Sequence, residues 1–210
     1  MKYKFTIRLN DKDVEAEAFT LNDYLELTLS KENGTFKEKI QDVVKRCTGL
    51  NIFEMKKPEA EYVIMILWLN SFGEVNHEAE YVCECGNEFS IPINFNNVQI
   101  DKTNDEFLTY QTLKIHFNSA KVFDDSDDVM AFLKCMDYII LDDNQINISD
   151  LSDKEIDDLI SIIKYDDMID IINKLLQPTI RLGIPVKCDV CGKYHVEEFI
   201  GLNKFLKLVE

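Results

Sequence analysis

The sequence predicts an α+β fold, and three observations carry that expectation. Short segments of alternating polarity, bounded by turn residues, occur at both ends of the chain and in its middle, the pattern of antiparallel hairpins. Between them lie longer stretches with apolar residues at helical spacing. Four of the six cysteines form two close pairs, and strand-like residues flank each pair. With 210 residues, four Pro, seven Gly and a hydrophobic content of 46%, the chain can bury a core without staples and is neither disordered nor collagenous.

The elements follow in order. Residues 2–9 and 12–18 read as a hairpin, because Tyr3, Phe5 and Ile7 alternate with polar residues and Asn10-Asp11-Lys12-Asp13 supplies turn chemistry. Thr20 and Asp23 start a helix over 21–30, which Asn33-Gly34 breaks. Thr35-x-x-Glu38 has capping-box spacing, in which each side chain satisfies an orphan amide of the other residue. Phe36, Ile40, Val43, Val44 and Cys47 then recur at helical spacing up to the stop at Gly49. Pro58 suits a first helical position, and Glu59 and Glu61 suit the positive end of the helix dipole. The body Tyr62–Leu69 is apolar on every side; we read it as a central buried helix, although so short an apolar run also fits a buried strand.

Residues 75–98 read as strand, knuckle, strand, and Thr109–Phe117 is again β-like. Three helices follow. One starts near Ser126 and repeats Val129, Phe132, Leu133, Met136 and Ile140. The next opens on the capping box Ser152-x-x-Glu155, and the third carries Met168, Ile171, Ile172, Leu175 and Leu176 and ends before Pro178. Residues 184–200 return to strand, knuckle, strand, and Gly201–Leu208 closes the chain with a short apolar segment. The expected organisation is an N-terminal hairpin with helices (1–73), half a zinc ribbon (74–98), a mainly helical acidic insertion (99–183), and the second ribbon half with the apolar end (184–210).

Charge and hydropathy exclude several functions. Twenty-three basic against 39 acidic residues leave a net charge of −16, which repels phosphate backbones and argues against broad nucleic-acid binding. The apolar run Tyr62–Leu69 is far shorter than a bilayer span, and Met1–Arg8 alternates instead of forming a signal-peptide core, so the expectation is a soluble, cytosolic protein. Residues 121–174 alone hold fifteen acids and five lysines, a local charge of −10. That excess is either the solvated outer face and caps of three helices or an acidic docking face for a basic partner. A calcium loop is excluded, since neither Asp125 onward nor Asp143 onward has the central Gly and twelfth-position Glu of an EF-hand.

In a reducing compartment, paired cysteines read as metal ligands or redox groups. Cys47 and Cys135 stand alone on amphipathic stretches and read as small buried hydrophobes. Cys83-Glu84-Cys85-Gly86 and Cys188-Asp189-Val190-Cys191-Gly192 each supply two thiols, and four thiolates complete a tetrahedral zinc site with Zn–S of about 2.3 Å. Two hairpins facing one metal make a zinc ribbon. Cys-x-x-Cys-Gly is a strong half-site; Cys-x-Cys-Gly, one residue shorter, is a weaker one. Replacement of one thiolate by His195 or His77 stays open, as does a redox Cys-x-x-Cys, although such a motif would normally open a helix and Cys191 leads into β-like Tyr194-His195-Val196. A catalytic zinc lacks support: no deaminase pattern, phosphate loop, nucleophile elbow or H-E-x-x-H occurs, and His116 reads as a strand residue, so no enzyme is expected.

The whole order of features has a family likeness. A hairpin and helices lead to Trp68-Leu69-Asn70-Ser71-Phe72-Gly73, then to the Cys83-x-Cys85-Gly86 knuckle; a helix pair closed by Pro178 leads into Cys188-x-x-Cys191-Gly192 and a short apolar end. This resembles the baseplate hub assembly proteins of T4-like contractile-tailed bacteriophages. The resemblance implies a small non-enzymatic protein that helps build the tail baseplate hub in the host cytoplasm, with phage tail hub or baseplate proteins as partners. It also implies Cys83, Cys85, Cys188 and Cys191 as ligands of a structural zinc. The competing class is a zinc-ribbon module docking on transcription or RNA machinery, for which the sequence shows no basic stripe or stacking aromatics at either knuckle.

Overall fold

The computed structural model describes residues 3–10, 12–73, 75–124 and 127–207. Strands β1 (Lys4–Arg8) and β2 (Asp13–Glu17) pair antiparallel, with Phe5 opposite Ala16 and Ile7 opposite Val14. The period of two carries Ile7 and Ala16 to the buried face. The turn expected at Asn10-Asp11-Lys12-Asp13 falls between them, and Asp11 lies outside the described residues.

Helix α1 (Leu21–Glu32) starts on a complete capping box: the Asp23 amide donates to Thr20 Oγ1, and the Thr20 amide donates to the Asp23 carboxylate at 2.7 Å. Helix α2 (Phe36–Thr48) forms where its apolar spacing places it, but the capping box expected at Thr35 and Glu38 is absent. The reason is the chain reversal before it. Thr35 donates its amide back to Ser30 O at 3.0 Å, which leaves its ψ at 20° rather than extended, so its hydroxyl makes no cap bond. Gly49 ends α2 in the left-handed region at φ 76°, its amide donating to Lys45 O at 2.8 Å.

Helix α3 (Lys57–Phe72) resolves the ambiguous apolar run as helix, with Val63 to Leu69 all buried. Trp68 packs among Phe19, Tyr24 and Phe72 at ring-centroid distances of 5.5, 5.9 and 5.3 Å. Strands β3 (Asn76–Val82) and β4 (Glu88–Asn94) form the first knuckle hairpin, followed by a 3₁₀ turn at Phe95–Asn97 and short β5 (Gln99–Ile100).

Next come β6 (Glu106–Tyr110), β7 (Leu113–Phe117), α4 (Asp128–Cys135), β8 (Met136–Leu141), β9 (Asn144–Asn147), α5 (Asp153–Ile162) and α6 (Tyr165–Leu176). The four strands make one antiparallel sheet in chain order. The three expected helices all form, as α4, α5 and α6, but the first is shorter than its apolar repeat. Met136 and Ile140 satisfy the helical repeat begun at Val129, yet α4 stops at Cys135 and Met136 turns extended, at φ −63° and ψ 128°. The β-branched and aromatic run Tyr138-Ile139-Ile140 instead pairs on both sides, Ile139 lying between Ile115 and Ile146. The helix start expected at Ser126 lies outside the described residues, and Asp127 is the cap, accepting from the Met130 amide at 2.8 Å. Helix α5 begins on the expected Ser152–Glu155 capping box.

Strands β10 (Ile180–Lys187) and β11 (Tyr194–Ile200) form the second knuckle hairpin, with β5 on the other side of β10, and α7 (Leu202–Leu206) follows. Phe205 of α7 is buried against Phe95 and Phe199. Leu208 lies outside the described residues.

The chain forms two units. The first comprises Met1–Phe53, Pro58–Asp101 and Thr179–Glu210. In it the buried Glu61 carboxylate accepts from Thr179 Oγ1 and the Ile180 amide, so α3 is tied to the start of β10. The second comprises Glu54–Lys57 and Lys102–Pro178. Its core packs Leu113, Ile115 and Phe117 of β7 with Phe132 of α4 and Ile171, Ile172 and Leu175 of α6, and Lys57 Nζ donates to the carbonyls of Leu176 and Pro178 past the end of α6.

Candidate metal centre

Each cysteine pair occupies the tip of a two-stranded hairpin, and each tip is closed by its own backbone. In the first, the Cys83 amide donates across the loop to Asn87 O at 2.9 Å, and the Gly86 amide donates to Cys83 O at 2.8 Å. In the second, the Cys188 amide donates to Lys193 O at 2.9 Å, and the Gly192 amide to Cys188 O at 2.8 Å. Gly86 and Gly192 leave their turns at φ 86° and 72°, a region that costs L-residues energy. The missing residue of Cys-x-Cys-Gly therefore shortens the closing bond from i+4 to i+3 and leaves the knuckle intact.

The hairpin ends bring together side chains 108 and 103 positions apart. Cys83 Sγ lies 3.7 Å from Cys191 Sγ, Cys85 Sγ lies 3.7 Å from Cys188 Sγ, and all four sulfur atoms lie within 4.8 Å of one another. Four thiolates about 2.3 Å from a central zinc stand about 3.8 Å apart along each tetrahedral edge. The sulfur cluster therefore has the size of a tetrahedral thiolate site and could hold a metal ion. Cys83 and Cys188 are buried, while Cys85 and Cys191 are exposed.

The thiols are electrostatically unequal. Backbone amides of Cys191 and Val190 aimed at its sulfur, with the Cys191 and Cys85 thiols, lower Cys188 to about 6 against the cost of desolvation. At Cys85 the Asn87 amide favours the thiolate, but desolvation and hydrogen bonding of its own thiol with the other three outweigh it and push the group up to about 12. Asn87 Nδ2 also donates to Cys188 Sγ at 3.6 Å. Lys193 pairs with Glu84 from one knuckle to the other; that hydrogen bond holds the Glu84 carboxyl below and the Lys193 amine above their ordinary values. The Tyr81 and His195 rings meet at 4.8 Å beside the knuckles.

A family model described as T4 bacteriophage base plate protein matches residues 1–207. The chain belongs to that family. It is 38% identical over 208 residues, 99% of either chain, to a protein of Enterobacteria phage T4 named baseplate hub assembly protein gp26. No solved structure matches it significantly.

Neither His77 nor His195 is among the four side chains whose ligand atoms cluster. His77 of β3 pairs with Ile93 of β4, with five residues between it and Cys83, and His195 lies in β11 with its ring against Tyr81 and its buried Nε2 without a hydrogen-bond partner. Cys188 and Cys191 lead from strand to strand, unlike a redox motif at a helix start. His116 is a buried strand residue, stacked on Tyr138 at 4.4 Å with Nδ1 3.1 Å from Asp137. Cys47 and Cys135 are buried in α2 and α4, as expected of small hydrophobes. Of the acidic residues, Asp157, Asp158 and Asp166 are exposed, whereas Asp167 accepts from the Tyr110 hydroxyl. Asn87, the Glu84–Lys193 pair and the Tyr81–His195 contact were not singled out in the sequence. Position is the signal for Asn87 and Lys193, one residue past each closing glycine, and for Glu84, between two cysteines; His195 was named only as a candidate ligand, and nothing local pairs it with Tyr81.

Proposed function

We propose that the chain is a non-enzymatic assembly factor or structural component of the hub of a contractile phage-tail baseplate, acting in the host cytoplasm. The observation that carries this reading is full-length similarity, 38% identity over 99% of both chains, to a protein named for baseplate hub assembly. Cys83, Cys85, Cys188 and Cys191 hold one structural zinc. A closed set of four thiolates leaves no ligand position for water, so the metal's contribution is folding energy and a clamp between two distant segments. The acidic surface of residues 121–174, with its local charge of −10, docks a basic hub or baseplate protein, charge complementarity speeding the encounter and excluding wrong partners.

The test is a phage carrying a stop codon in this gene. The expected result is a lysate with normal heads and no assembled baseplate hubs, restored by the wild-type gene on a plasmid. Normal tails in the mutant lysate would overturn the reading. Reversing charge at the exposed Asp157, Asp158 and Asp166 together, with Asp167 kept for its bond to Tyr110, is expected to abolish co-purification with hub proteins while leaving the fold intact; unchanged co-purification would refute the docking surface.

A further inference from the structure

The second unit has a groove of about 670 Å³ between its sheet and α5. Leu141 and Ile146 line it from the sheet, and Glu155, Asp158, Leu159 and Ile162 line it from the helix. Two of its apolar walls remain open to water, with Leu141 40% and Ile162 51% exposed. Its volume is that of a binding cavity rather than a packing defect, and exposed apolar surface of this kind, rimmed by charge, marks interaction sites.

The α5 contribution has a regular order. Glu155, Asp158, Leu159 and Ile162 stand at i, i+3, i+4 and i+7, so two carboxylates are followed, one turn further along the same helix face, by two aliphatic side chains. A second helix laid along that face would meet first the acidic pair and then the aliphatic pair at matching intervals. The lining holds two acids and no basic residue, and the segment around it carries fifteen acids against five lysines. One Glu155 oxygen is engaged by the Ser152 amide and hydroxyl, which fixes the carboxylate at the rim.

We propose that this groove receives an amphipathic, basic helix of a partner protein, its aliphatic face seated between the sheet and α5 and its lysines or arginines paired with Glu155 and Asp158. The inference rests on the docking reading given above and narrows it to a site and a class of ligand. Partial desolvation in the groove strengthens those pairs relative to surface pairs, and the apolar contacts supply affinity that charge alone would lose at physiological salt.

The test uses the full chain and two synthetic helical peptides with leucines at i, i+3, i+4 and i+7, one flanked by lysines and its twin by glutamates, followed by fluorescence anisotropy. The lysine peptide is expected to bind with salt-sensitive affinity and the glutamate twin not to bind. Ile162→Ser is expected to weaken binding about ten-fold, the worth of one buried aliphatic side chain. Asp158→Lys is expected to weaken it and flatten the salt dependence, whereas Leu25→Ser, at an equally exposed leucine of α1, changes nothing. Equal binding of both peptides, equal loss in Leu25→Ser, or no binding of the lysine peptide would overturn the proposal. So would self-association of the chain that Ile162→Ser abolishes, since the occupant would then be a second copy. Failure here with missing hubs in the stop-codon phage refutes the groove alone; peptide binding with normal hubs refutes the assembly role alone.

Discussion

Asp23 is a buried carboxylate that joins two helices of the first unit. It closes the capping box of α1 with Thr20 and pairs with Arg46 of α2. Burial alone would raise its pKa, but the Thr20 amide and hydroxyl and the Arg46 guanidinium outweigh it and hold the carboxyl below its ordinary value of 3.8. A group depressed in the folded state contributes stability that is complete above its unfolded value and is lost as pH falls below that value through the folded one. Asp23→Ala is therefore expected to cost about 1–2 kcal/mol at pH 7, the worth of a helix cap. Urea midpoints of variant and wild type should begin to converge below the ordinary carboxylate pKa and meet only below the depressed folded-state value. A gap that persists undiminished in acid would mean that packing, not charge, sets the cost. The Thr20–Asp23 start signal was legible because its partners are three residues apart. Arg46 was not, since nothing local distinguishes it from the neighbouring Lys45.

Elements were legible where a local signal and the tertiary context agreed. α2 ends at Gly49 as its sequence suggests, because a left-handed residue at φ 76° is needed there. Gly49→Ala is expected to lower stability by about 1 kcal/mol, the left-handed penalty of an L-residue, since no atom lies close enough to clash with the added methyl. Gly49→Asn should lose less, and equal losses in both would point to packing instead. Two elements departed from expectation for different reasons. Thr35 lost its cap to a competing backbone bond five residues away, at Ser30. The strand Met136–Leu141 was hidden because its apolar residues fit a helical repeat as well as a strand, and only pairing with β7 and β9 decides between them. Val129, 50% exposed, shows that the helical stripe drawn through it was partly accidental.

On the scale of the whole chain, Lys102–Pro178, the bulk of the second unit, is an insertion, since the first unit resumes at Thr179 after leaving off at Asp101. The cysteine quartet was legible across that insertion because thiols at ligand spacing are rare outside metal and redox sites, whatever separates the pairs. The groove beside α5 was not, because its walls come from strands and a helix whose juxtaposition no local pattern encodes. The negative charge also has a place: much of it belongs to the inserted segment rather than to the knuckles. The four thiols belong to the first unit alone, so if they hold the proposed zinc, its removal should release β3–β4 from β10–β11 while the second unit keeps its own core. The most direct measurement is elemental analysis of the purified wild-type protein beside Cys188→Ser, with thermal unfolding of each. The account predicts one zinc per wild-type chain, and in the variant loss of the zinc together with a lower melting temperature. A wild-type protein that is folded, active in hub assembly and free of metal would contradict it.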